Sequence, residues 1–101
     1  MIGFSGIVSN NQTNNKKLIV GRWRSKADHK YEIVFTKSAK IDYYRNKITS
    51  SSLYWIKGDT LIVKDKSDSS YNYYSIENLS NNYLSLMYLA RGNMLVFQKE
   101  H

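Results

Sequence analysis

His29 and His101 are the only imidazoles in the chain, one in an expected turn and the other the last residue. Neither has an Asp or Glu placed to complete a metal set or a proton relay, so general-base and metal chemistry have no visible carrier. The carboxylates Asp28, Glu32, Asp42, Asp59, Asp65, Asp68, Glu77 and Glu100 fall in turns or on expected outward positions, where they aid solubility and turn formation. The chain has no cysteine, which removes disulfides, thiolate zinc sites and thiol nucleophiles together. No Gly-rich phosphate loop, nucleophile elbow or HExxH pair occurs, and no cofactor motif. These absences point away from an enzyme. Aromatic residues are the richer resource: two Trp and nine Tyr. A buried phenol needs a hydrogen-bond partner, and several converging on one cavity can orient a small ligand.

The elements that would position them read as strands. Tyr, Ile, Val, Phe and Thr suit a pleated, half-buried surface, and turn residues recur every eight to twelve positions, the spacing of a sandwich or barrel. Candidate strands are 18–25, 30–36, 40–46, 52–57, 60–66, 71–79, 83–90 and 93–99. The segment 83–90 is the one apolar cluster that could pass for a helix, but Asn81-Asn82 and Gly92-Asn93 bound it as a strand. We therefore expect an all-β, antiparallel, up-and-down meander of about eight strands forming a small barrel.

Side-chain parity tests the hairpins. A two-residue Gly58-Asp59 loop sets Lys57 against Thr60, Ile56 against Leu61, Trp55 against Ile62 and Tyr54 against Val63. A three-residue loop at Lys37-Ser38-Ala39 sets Phe35 against Ile41 and Ile33 against Tyr43, with Glu32 and Asp42 outside. An Asn81-Asn82 loop pairs Leu79 with Leu84 but leaves Ile76 on the wrong face, so we expect a bulge near Glu77-Asn78. Leu86 and Tyr88 share a face with Leu95 and Phe97. The inward set is then Trp23, Tyr31, Ile33, Phe35, Ile41, Tyr43, Tyr54, Ile56, Leu61, Val63, Tyr74, Ile76, Leu79, Leu84, Leu86, Leu95 and Phe97. Bulky residues at nearly every inward position leave little room in a narrow barrel. Candidate interior ligand contacts are Trp23, Tyr31, Tyr43, Tyr54 and Tyr74, with Trp23 read first as a core plug.

Residues 1–17 divide from the barrel domain at 18–101. Met1 to Val8 is mildly apolar, but too short and without the basic start of a complete signal peptide; it reads as a cleaved remnant or an extra strand. The polar, Asn-rich Ser9 to Lys17 reads as a flexible tether. Such a tether in front of a β domain suits an exported, surface-anchored protein, so we expect an extracytoplasmic location: secreted, periplasmic or held in the envelope. No stretch approaches the roughly 18 apolar residues of a membrane-spanning helix.

From Leu18 onward the pattern resembles the lipocalin-like domains of small exported or lipid-anchored bacterial proteins. Gly21-Arg22-Trp23 looks like the Gly-x-Trp that opens the lipocalin barrel. Tyr31 to Tyr43 resembles the second hairpin, and Tyr54 to Leu61 the fourth-to-fifth. Tyr74 to Leu79, Leu84-Ser85-Leu86 and Val96-Phe97 resemble the closing strands. The resemblance implies a closed barrel and a non-enzymatic binding module. It departs from the family at Ala39, where a turn Gly is usual, and in length. The family also sets a basic residue of the last strand against the Trp; here Arg91 precedes that strand and Lys99 ends it.

The functional expectation is a binding module that engages a protein partner or a small hydrophobic ligand, and crowding of the interior favours the protein-facing surface. Outward apolar residues supply that surface: Tyr44, Trp55, Ile62, Met87 and Val96, with Tyr73, Leu89 and Met94 nearby. Residues Ile2 to Val8 folding back over them is the competing account. The formal charge of +7, from 15 Lys and Arg against 8 Asp and Glu, raises a second class, a barrel binding single-stranded nucleic acid or another polyanion. The basic residues are scattered one or two per turn, which fits a solvated surface, and Tyr44, Arg45 and Trp55 are the nearest approach to a stacking platform. A structural domain of a cell-envelope assembly is the third class.

Overall fold

The computed structural model describes residues 15–101. Eight strands follow one another: β1 (Gly21–Ser25), β2 (Tyr31–Phe35), β3 (Ala39–Tyr44), β4 (Lys47–Lys57), β5 (Thr60–Asp65), β6 (Tyr71–Leu79), β7 (Tyr83–Tyr88) and β8 (Met94–Glu100). Each pairs antiparallel with the next, and β8 pairs with β1, so the meander closes into a barrel without free edges. The expected tether and apolar start, residues 1–14, lie outside the described residues. Residues 15–18 form one helical turn, so the first strand begins at Gly21 rather than at Leu18.

Most hairpins follow the parity reading. At Gly58-Asp59 the register is Lys57↔Thr60, Ile56↔Leu61, Trp55↔Ile62 and Tyr54↔Val63, as expected. Gly58 has φ of 59°, the positive value a tight hairpin needs at its first central residue. Leu79 pairs with Leu84, and the ladder slips between Ile76 and Asn78; this bulge turns Ile76 inward, opposite Leu86. Leu86 meets Leu95 and Leu84 meets Phe97.

The β2–β3 hairpin corrects the reading. Its loop has two residues, Lys37-Ser38, because the Thr36 backbone N–H donates to the Ala39 carbonyl and the Ala39 N–H donates to the Thr36 hydroxyl. Phe35 therefore pairs with Lys40 and Ile33 with Asp42. One residue fewer in the loop turns every β3 side chain to the other face. Lys40 and Asp42 point inward, and Ile41 and Tyr43 point out. The following connection, Arg45-Asn46, was read as strand. It is a two-residue turn with both φ values positive, and β4 then starts at Lys47 through the polar run Thr49 to Ser52.

The core gathers Ile19, Trp23, Ile33, Phe35, Tyr54, Ile56, Leu61, Val63, Ile76, Leu84, Leu86 and Phe97, with Tyr31, Tyr74, Leu79 and Leu95 packed against it. The helical turn lies across one end of the barrel, here termed the closed end, and drives Ile19 into the interior. Among the described residues, no helix is long and apolar enough to cross a membrane.

Candidate functional site

Trp23 seals the closed end. It is fully buried, and its indole N–H donates to the Ile19 carbonyl at 2.8 Å. Lys99, opposite it in β8, places its ammonium 4.6 Å from the ring centre and donates to the carbonyls of Leu18 and Val20. Lys99 thus caps the last carbonyls of the helical turn while stacking on the indole, and burial holds its pKa below the usual lysine value. The basic partner of the Trp is therefore Lys99, not Arg91. Gly21 makes this possible: its φ is 139°, and a methyl in place of its hydrogen would stand 2.6 Å from the Lys99 Cε.

Three interior phenols, those of Tyr31, Tyr54 and Tyr88, have hydrogen-bond partners. Tyr54 donates to the Thr36 carbonyl and stacks edge-on against Phe35. Tyr31 donates to Asp42 at 2.8 Å, and burial, then the carboxylate beside it, pushes its pKa upward. The other Asp42 oxygen takes the Lys40 ammonium at 2.6 Å. Lys40 is only 6% exposed, an uncommon place for a lysine, and this ion pair explains it. Tyr74 stacks on Tyr88, whose hydroxyl donates to Asn72. Sequence reasoning missed Lys40 and Asp42 as interior residues because it set the β3 parity one residue off. Tyr43 is not an interior residue: it lies outside beneath the Arg22 guanidinium, 5.0 Å away. Beside it Glu32 is buried between Arg22 and Arg24. Burial opposes its ionisation, but the hydrogen bonds from both guanidinium groups prevail and hold its pKa below the ordinary value.

Of the expected outer residues, Trp55 and Ile62 are brought together and Tyr44 is separated from them. Trp55, Ile62 and Tyr73 stand in one cross-strand row, and the Leu89 N–H bonds to the Tyr73 carbonyl to extend it. Trp55, Tyr73 and Leu89 are 45%, 47% and 50% exposed. Met87 pairs with Met94 and Val96 with Ser85 on the neighbouring strands, both half-buried. Tyr44 shares a face with Tyr31 at the open rim, with Arg45 over its ring. It pairs with Lys47, eight residues before Trp55 along β4, roughly 26 Å at strand rise. Tyr44, Arg45 and Trp55 therefore form no common platform.

A cleft of about 580 Å³ opens beside Trp55, between the helical turn, the β2–β3 loop and the end of β4. Val20 and Trp55 expose apolar surface to it, backed by Tyr54 and Ile56, whose side chains pack in the core, and Lys16, Lys17, Lys37 and Lys57 form its rim. Asn15 ties the helical turn to this wall through the Gly58 carbonyl. The sequence reading named Trp55 but not this cleft, since its walls come from three separated segments.

A closed eight-stranded meander, plugged at one end by a Trp under a lysine, defines a lipocalin-like barrel. The comparisons with solved structures agree on the fold. A lipocalin-like protein from Bacteroides uniformis superposes with a TM-score of 0.70 at 15% identity, over 81% of this chain and 98% of that one. An uncharacterized protein from Bacteroides eggerthii does so with a TM-score of 0.69 at 16% identity, over 81% of this chain and 99% of that one. No protein-family model and no curated protein matches the sequence.

Proposed function

We propose that the protein is a non-catalytic, extracytoplasmic binding module that takes a small hydrophobic ligand on its outside, in the closed-end cleft. The carrying observation is the cleft itself: about 580 Å³ lined by Val20, Tyr54, Trp55 and Ile56, beside an interior whose bulky residues pack together and in which Lys40, Asp42 and Tyr31 pair with one another. That volume lies within the range of small-molecule sites, and an apolar floor with a few polar groups is their usual make-up. A neutral apolar dye such as N-phenyl-1-naphthylamine should bind saturably. Trp55→Ala should weaken it at least tenfold with little change in melting temperature. A linear, non-saturating signal from the wild-type protein rejects the reading. Cell fractionation that recovers the protein only from the cytoplasm rejects the location.

A second reading rests on the row Trp55, Ile62, Tyr73 and Leu89, which presents a continuous apolar strip across three strands and the turn after β7 to a protein partner. Tyr73 and Leu89 separate the two readings, because they lie outside the cleft. Tyr73→Ala with Leu89→Ser should abolish partner capture and leave dye binding intact.

A further inference from the structure

We infer that the closed-end cleft selects a free single-chain amphiphile with an anionic head, such as a fatty-acid carboxylate; this rests on the ligand reading above. Four lysines from three segments surround one apolar floor: Lys16 and Lys17 on the helical turn, Lys37 in the β2–β3 loop and Lys57 at the end of β4. Among the described residues, no acidic side chain lines the cleft and none of the four lysines forms an ion pair. The contrast with the other cations is informative. Arg22, Arg24 and Lys40 are held by carboxylates, Lys99 by carbonyls, and Lys64 lies over the Tyr71 ring. Lys26, Lys30, Arg45, Lys47, Lys66 and Arg91 also form no ion pair among the described residues, but they stand at the connections of the opposite end of the barrel; Lys16, Lys17, Lys37 and Lys57 differ from them in rimming an apolar recess.

Lysine is suited to such a rim. Its four-carbon stem lies along apolar surface while the ammonium stays in water, so chain and head are met by different parts of one side chain. A recess walled by low-dielectric groups and edged with one sign of charge also focuses field on an approaching anion. The cleft, of about 580 Å³ and open to solvent on one side, suits one chain rather than a bilayer surface spread over the whole end of the barrel.

Competition against the neutral dye tests this with the full chain. Dodecanoate, dodecanol and dodecyltrimethylammonium share a chain and differ in charge; each is used below its micellar concentration. Dodecanoate should displace the dye at a concentration at least tenfold below that of the other two, and added salt should narrow the gap. The combined variant Lys16→Gln, Lys17→Gln, Lys37→Gln and Lys57→Gln should erase the gap, so that dodecanoate and dodecanol displace the dye at equal concentrations. Equal displacement by dodecanoate and dodecanol in the wild type overturns the anionic selection and leaves the hydrophobic site standing. Displacement by none of the three removes both. Sedimentation with phosphatidylglycerol vesicles, without displacement by dodecanoate, assigns the charge to a membrane surface and overturns the inference.

Discussion

Gly21, Trp23 and Lys99 form one device, and each residue type follows from the other two. The lysine stem crosses the space a Cβ of residue 21 would occupy, on its way to the carbonyls of Leu18 and Val20. Gly21→Ala combines that collision with a backbone φ that side chains avoid, and should cost ~1–3 kcal/mol in urea denaturation. Trp23→Ala removes a fully buried indole and should cost ~3–5 kcal/mol by the same measurement. Glu32 carries a pH signature. Its folded-state pKa lies below the ordinary 4.5, so its stabilising contribution is present above that value and is lost as pH falls through the folded one. Melting temperatures taken from about pH 6 to about pH 3 should fall more steeply for the wild type than for Glu32→Gln. The Gly-x-Trp spacing was legible in the sequence. The lysine partner was not, because its role depends on β8 lying beside β1.

At the scale of the element, β3 shows how little local sequence separates two registers. Lys-Ile-Asp-Tyr-Tyr alternates, and the apolar half of the alternation was expected inside. The Thr36 hydroxyl closes a two-residue loop instead and sends the polar half inward. The interior tolerates this because Lys40, Asp42 and Tyr31 satisfy one another. Asp42→Asn should therefore strand the Lys40 ammonium and cost about 3 kcal/mol, measured by chemical denaturation. Lys40→Met with Asp42→Leu should recover most of that loss, because removing both members spares the desolvation of each. The β6–β7 hairpin was read correctly for the opposite reason. Leu79 and Ile76 both need the interior, and only a bulge between them admits both.

For the whole molecule, closure of the barrel decides what remains available for binding. With β8 zipped to β1, no strand edge among the described residues is free for pairing. Apolar surface is exposed singly at residues such as Ile48 and Met94, and together in the row from Trp55 to Leu89 and in the lysine-rimmed cleft beside it. Trp55 belongs to both, and it is half exposed, so Trp55→Ala should impair binding with a shift of only a few degrees in melting temperature. Thermal melts beside dye titrations check this. A large drop in melting temperature would place Trp55 among the structural residues instead.

The amino-acid order by itself determined the all-β class, the strand sequence and most pairings. Alternation and turn residues act between neighbours in the chain, and in a meander each strand's partners are mostly its neighbours. The tertiary structure decided the facing of β3, the partner of Trp23 and the cleft. A one-residue change in a loop has almost no local signature but reverses a whole strand, and Lys99 reaches Leu18 only once the last strand closes on the first. The cleft follows the same logic, since Lys16, Lys37 and Lys57 meet only at the end of a closed barrel.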